Sequence, residues 1–130
     1  MLLIRTVVKP SSIHGLGLFA AEDIPKGAAI WRFSPGLDME IAATDFDKLT
    51  PYEQDVILFY GFHSTKTGKY HLSFDDVRFI NHAEQGNVTV DVARASAEDD
   101  IEYMLIAAQD IAAGDELTQN YYEFDEGHQM

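Results

Sequence analysis

The chain contains no cysteine, which excludes disulfide bridges and thiolate metal clusters without identifying a compartment. Basic charge is scarce: 9 Lys and Arg stand against 22 Asp and Glu, a formal net charge of −13. Such a surface repels phosphate backbones, so no direct nucleic-acid partner is expected. It attracts cationic partners such as a lysine-rich peptide, although acidity also serves solubility by itself. Long apolar runs are missing too. The opening MLLIRTVVKP is interrupted at Arg5, too early for a signal-peptide core, and no later run approaches a membrane span. The expectation is a cytoplasmic protein with no membrane partner. Compact metal patterns are lacking: His14, His63, His71, His82 and His128 form no H-x-x-x-H pair, so no metal site is expected. Ser34 and Ser73 lack the glycine framing of a nucleophile elbow.

What is there is a chain of 130 residues, 46% hydrophobic and 12% aromatic, enough for one domain over 1–130 with a real core. Short β-branched or aromatic segments dominate: Leu2–Val8, Ala28–Phe33, Lys69–Phe74, Asn87–Ala93 and Ile101–Ala108 read as strands. Turn residues such as Pro25-Lys26-Gly27 and Ser96–Asp100 separate them. One helix stands out inside an insert at about 44–61. Thr50 can cap it, Pro51 suits its first position, and Glu53 completes a Thr-x-x-Glu capping box. Tyr52, Val56, Phe59 and Tyr60 then fall on roughly one face, and Gly61 ends the run. There is also an internal echo. FAAEDIPKGAAI (Phe19–Ile30) resembles IAAQDIAAGDEL (Ile106–Leu117), each with an Asp-Ile, a glycine turn and a new strand. Each glycine permits a turn of positive φ and each isoleucine pins that turn to the core, which predicts two matching corners of an antiparallel β fold.

Three stretches carry candidate chemistry. HGLGLF (His14–Phe19) is no dinucleotide loop, because a third glycine and a following helix are missing, but Gly15 and Gly17 let its backbone approach a ligand. RFINHAEQGN (Arg78–Asn87) runs from an apolar pair straight into a cluster of polar side chains beside what reads as core. GDELTQNYYEF (Gly114–Phe124) ends a strand with an Asn and two tyrosines, costly to bury unless hydrogen-bonded. Paired carboxylates, Asp115-Glu116 among them, read as solvated turns in so acidic a chain, with no catalytic role.

Taken in order, these three stretches resemble the motifs of the SET-domain protein lysine methyltransferases. HGLGLFAAEDIPKGAAI looks like the family's Gly-x-Gly loop and turn, and RFINHAEQGN like its Arg-Phe-Ile-Asn-His-Ser-Cys-x-Pro-Asn signature. GDELTQNYY looks like its Gly-Glu-Glu-Leu-Thr-x-Asp-Tyr end motif. The resemblance implies a mainly β fold, the SET-domain β-clip of small curved sheets with one short inserted helix and a knot-like C-terminal crossing. It implies S-adenosylmethionine as cofactor, held by Asn81 and His82, by the backbone of Leu16 and Gly17, and by Arg78. Tyr121 aligns with the catalytic tyrosine, and Phe33, Tyr70, Tyr122 and Phe124 are candidate walls of a lysine channel. In such a channel the substrate amine loses its proton from a reference pKa of about 10.4, because burial and a nearby sulfonium disfavour the charged form. The implied partner is a basic lysine-containing protein.

The pattern departs from the family at Ala83, Glu84 and Gly86, which replace Ser, Cys and Pro, and at Asn120, which replaces the usual Asp. Cysteine-rich flanks are absent, so the inserted helix, the short tail or a second copy in a homodimer is expected to close the channel. The alternative is a non-catalytic SET-like β-clip binding module that has lost cofactor and chemistry together.

Overall fold

The structure, a computed structural model, describes residues 1–91 and 104–123. A hairpin pairs β1 (Thr6–Pro10) with β2 (Leu16–Ala20) antiparallel, from Thr6 opposite Ala20 to Pro10 opposite Leu16. β2 alternates so that Leu18 and Ala20 are buried under the hairpin, as a strand with one face on a core requires. A second sheet is built from β3 (Ala29–Arg32), β7 (Asn81–His82), β8 (Val88–Val90), β9 (Met104–Ala107) and β10 (Thr118–Gln119), in the order β3-β9-β8-β10-β7. A third holds β4 (Met39–Ile41), β5 (Gly61–His63) and β6 (Tyr70–Leu72), with β6 central and both pairings antiparallel.

The described residues are mainly β, as the sequence led us to expect; β3 and β6 are shorter than the apolar runs Ala28–Phe33 and Lys69–Phe74, and β1 is shifted along its run. Leu2 makes only an isolated bridge to Trp31, and the first strand starts at Thr6. The turn Ser96–Asp100 and the outer ends of the two strands that flank it lie outside the described residues. Leu18, Ile24, Ile30, Val88, Ile111 and Leu117 form the centre of the core, each at most 2% exposed.

The two echoing segments meet. Ile24 and Ile111 exchange both backbone hydrogen bonds, each N–H to the other's carbonyl at 2.8 Å. Around them the contacts repeat with exchanged roles: Gly27 N–H donates to the Ala107 carbonyl and Gly114 N–H to the Ala20 carbonyl, both at 2.8 Å. Gly27 and Gly114 take positive φ, 85° and 95°. The result is a local two-fold clasp that carries the chain from the hairpin into the large sheet at one end and into β10 at the other.

α1 (Ala43–Phe46) and α2 (Pro51–Tyr60) fill the insert. The capping box forms: the Thr50 hydroxyl accepts from Glu53 N–H at 3.2 Å, and the Glu53 carboxylate accepts from Thr50 N–H at 2.8 Å. The helix's apolar stripe, however, does not face the core. Tyr52 and Phe59 are 76% and 78% exposed, and no residue of α2 is buried. α2 is held instead through polar and ring contacts. The Gln54 amide donates to the carbonyls of Phe46 and Leu49, and the Arg78 guanidinium lies over the Tyr60 ring at 4.8 Å.

Asp38 ties the start of the chain to the third sheet. Its side chain is 1% exposed and accepts from the Met1 ammonium, the Ser34 N–H and the Ser73 hydroxyl, each at 2.8 Å. Burial pushes its pKa upward, but these hydrogen bonds, with the ammonium's charge, outweigh it and hold the carboxyl below its ordinary value.

Candidate functional site

RFINHAEQGN enters the large sheet from a short 3₁₀ turn, Asp76–Phe79, capped by the Asp75 carboxylate, which accepts from Val77 N–H at 3.3 Å. The turn drives Ile80 into the core and leaves Asn81 only 8% exposed. Buried amides need partners. Asn81 Nδ2 lies 2.8 Å from Glu116 Oε2, 3.1 Å from the His14 carbonyl, 3.2 Å from the Leu16 carbonyl and 3.2 Å from Ser11 Oγ. Two of these are carbonyl oxygens, which can only accept, and one is a carboxylate oxygen, which when ionised likewise only accepts. The amide is therefore oriented with its nitrogen on the Gly-x-Gly loop and Glu116, and its oxygen directed elsewhere as an acceptor.

Glu116 closes the same cluster from β10's side. Both its oxygens lie 2.8 Å from Ser11 Oγ. Ser11 in turn accepts from Ile13 N–H at 2.9 Å and sends its own N–H to the Gly15 carbonyl at 2.8 Å, which closes the loop into a ring. A Cβ on Gly17 would stand 2.4 Å from Glu116 Oε2, so the carboxylate occupies the space that any larger residue would need.

β10 lies between two stretches of the signature. It runs parallel to β7, with Thr118 opposite Asn81 and Gln119 opposite His82, and parallel to β8 at Val88. Asn87 seals this insertion by imitating a strand: its Nδ2 donates to the Glu116 carbonyl and its Oδ1 accepts from Thr118 N–H, both at 2.9 Å. Next along the chain, Tyr121 N–H donates to His82 Nδ1 at 3.1 Å, and the Tyr121 hydroxyl donates to the Ile80 carbonyl. Having given its proton to Ile80, that hydroxyl can meet any further group only through its oxygen lone pairs. The His82 ring is also flanked by Tyr121 and Tyr122, at 5.2 and 5.5 Å between centroids.

Leu16, Gly17, Asn81, His82 and Tyr121 thus come together in one place. The remaining predicted residues are distributed around it. Arg78 is exposed and stacks on Tyr60 and Phe79, each at 4.8 Å. Phe33 packs against the core and meets His71 edge-on at 5.7 Å. Tyr70 is sandwiched between Phe46 and His63, at 3.7 and 4.2 Å. Tyr70 and His71 are consecutive in β6 and point to opposite faces, so Phe33 and Tyr70 do not share a wall. Phe124 lies outside the described residues. Three participants, Ser11, Asn87 and Glu116, were not singled out from the sequence. Glu116 and Asn87 do sit at Glu and Asn positions of the resembled motifs, whereas nothing local distinguishes Ser11 in KPSSIHG. Among the described residues no group of three or more His, Cys, Asp or Glu is placed to hold a metal ion.

Comparison with known proteins bears on the family and the fold. The family model described as "SET domain" matches residues 15–122. The chain is 28% identical over 115 residues to histone-lysine N-methyltransferase 2D of Homo sapiens, and to the Mus musculus protein of that name. That alignment covers 88% of this chain and 2% of the relative, so the chain spans a small fraction of those proteins' length. Among solved structures, a Plasmodium falciparum chain of similar extent matches with TM-score 0.61 at 18% identity, covering 92% of this chain and 95% of that one. A chain of an active polycomb repressive complex 2 in the basal state matches with TM-score 0.62 at 25% identity, covering 91% of this chain and 15% of that one.

Proposed function

This chain belongs to the SET-domain family, and from that membership we propose that it is a protein-lysine N-methyltransferase dependent on S-adenosylmethionine. The observation that carries the reading is the convergence of two distant stretches. The Tyr121 hydroxyl sits on the carbonyl of Ile80, next to Asn81, while its backbone sits on the ring of His82.

The residues fit such a cofactor in charge and in polarity. Asn81 offers an oriented amide oxygen, suited to an ammonium donor, and the Glu116 carboxylate beside it favours a cationic group. The Leu16-Gly17 backbone can lie close to a ligand, and His82 braces the wall. When bound, the cofactor would supply an electrophilic methyl group. With its proton committed to Ile80, Tyr121 would offer oxygen lone pairs suited to stabilising partial positive charge without proton transfer. Positioning of cofactor and amine by these residues would be the larger contribution, because positioning alone removes much of the entropic barrier. Tyr122, in edge contact with the His82 ring, would supply an aromatic wall beside it.

A basic, lysine-containing protein is the substrate class that the net charge of −13 supports. The exposed side of α2, with Tyr52, Val56 and Phe59 beside Glu53 and Asp55 and no basic residue in the helix, would receive the residues flanking the lysine. Arg78, stacked on Tyr60, links that helix to the signature turn.

Transfer of a labelled methyl group to lysine-rich proteins tests the proposal. Wild type should incorporate label, and Tyr121→Phe should lose about a hundredfold or more in rate. The variant should still bind S-adenosylhomocysteine by calorimetry. Equal incorporation by both proteins removes Tyr121 from the mechanism. A wild type that neither binds the cofactor nor transfers label is the non-catalytic module.

A further inference from the structure

We infer that Glu116, with Ser11, is the positioning residue that sets the Gly15-Leu16-Gly17 loop and the Asn81 amide for cofactor binding. This rests on the cofactor reading above and gives Glu116, beyond its charge, and Ser11 the task of holding the loop and the amide in place. Geometry supports it from three directions. The carboxylate meets the Asn81 amino group and the Ser11 hydroxyl, all at 2.8 Å. It fills the place of a Gly17 side chain, with Oε2 at 2.4 Å and Cδ at 2.9 Å from where a Cβ would be. Through Ser11 it reaches the loop's own amides, Ile13 N–H at 2.9 Å and His14 N–H at 3.4 Å.

Chemistry makes the arrangement directional. An ionised carboxylate only accepts, so it compels Ser11 to donate and turns the serine lone pairs towards the loop N–H groups. The same carboxylate compels Asn81 to present its nitrogen inward and therefore its oxygen outward. A glutamine in this place offers one acceptor and one donor, so one of these two neighbours must turn round. An alanine leaves both without a charged partner and leaves empty the space beside Gly17.

Calorimetry with S-adenosylhomocysteine on Glu116→Ala, Gly17→Ala, the double variant and Ser11→Ala tests the inference. Glu116→Ala should weaken binding by about tenfold or more, the usual worth of a hydrogen bond to a charged group. Ser11→Ala should move it in the same direction. Gly17→Ala should cost more in the wild-type background than in Glu116→Ala, because the two nearest atoms that its methyl strikes are gone there and only Ser11 Cβ, at 3.0 Å, still crowds it. In turnover, KM for S-adenosylmethionine should rise while kcat at saturation is kept, a split that mere loss of stability does not produce. Unchanged affinity in both Glu116→Ala and Ser11→Ala, or an equal cost of Gly17→Ala in both backgrounds, overturns the inference and leaves the methyltransferase reading standing. If Glu116→Ala does not fold, Ser11→Ala, which keeps the carboxylate, decides alone. Failure of wild type itself to bind S-adenosylhomocysteine removes the cofactor reading, and this inference with it.

Discussion

Asp23 and Asp110 occupy the same position in the two corners of the clasp, and each carboxylate caps the other's turn. Asp23 Oδ1 accepts from Ala113 N–H at 2.9 Å, and Asp110 Oδ1 accepts from Lys26 N–H at 2.8 Å. An aspartate normally caps its own turn. Here each one reaches across, so the corners depend on one another.

Asp23→Ala and Asp110→Ala should therefore lower stability by similar amounts, about 1 kcal/mol each, since both remove one solvent-accessible hydrogen bond to a backbone N–H. Urea melts of the single variants and the double variant would check it. The double variant should fall short of the sum, because loss of one cap already loosens the turn that the other one serves.

Asn87→Ala should cost about 2 kcal/mol or more, because it leaves the Glu116 carbonyl and the Thr118 N–H without their partner where β10 is inserted. Amide hydrogen exchange at Thr118 should accelerate with it, while exchange in the β1–β2 hairpin stays close to wild type.

Gly86 stands where the family signature has proline, and a Cβ there would lie 2.7 Å from both the Thr118 carbonyl oxygen and the Gln119 Cα. Gly86→Ala should thus lower the thermal midpoint instead of raising it, against the usual benefit of reducing unfolded-chain freedom. Restoring the family's proline at this position should do the same or worse. Differential scanning calorimetry of the two variants would show it.

Asp38 gives the chain an acid-sensitive point. Its folded-state pKa lies below the ordinary carboxylate value, so the folded state binds its proton less readily than the unfolded chain does. The associated stability is fully present above the unfolded-state pKa, near 3.8, and is lost as pH falls through the folded-state value. Asp38→Asn should destabilise the protein by about 2 kcal/mol at neutral pH, and the gap to wild type should close as the medium becomes strongly acidic. Chemical denaturation across that pH range would measure the closure.

How much of this was legible in the sequence depended on how local the cause was. The Thr50–Glu53 box could be read from four consecutive residues, and it formed as expected. The paired corners were legible as an echo, because Gly27 and Gly114 each mark a positive-φ turn in the chain itself. The direction of α2's apolar stripe was not, since periodicity says which residues share a face and not what that face meets. Glu116, although it stands at a Glu position of the resembled end motif, was read as a solvated turn for a related reason. Composition makes one more carboxylate in an acidic chain look solvated, and only the fold brings Ser11 and Asn81 to it. Tyr70 looked like a channel wall by residue type, yet its ring is committed to Phe46 and His63.

The lodging of β10 between β7 and β8 has a kinetic consequence. Among the described residues of the large sheet, β7 reaches the other strands only through β10, so the ladder shown for Asn81 and His82 waits for residues 118 and 119 to arrive. Pairings between such remote positions are slow, because much chain must be closed before any bond rewards it. Assembly of the Asn81, His82 and Tyr121 cluster should then be among the last events of refolding, lagging the hairpin. Agents that trap late intermediates would catch a collapsed protein in which Tyr121 has not yet met His82 and Ile80.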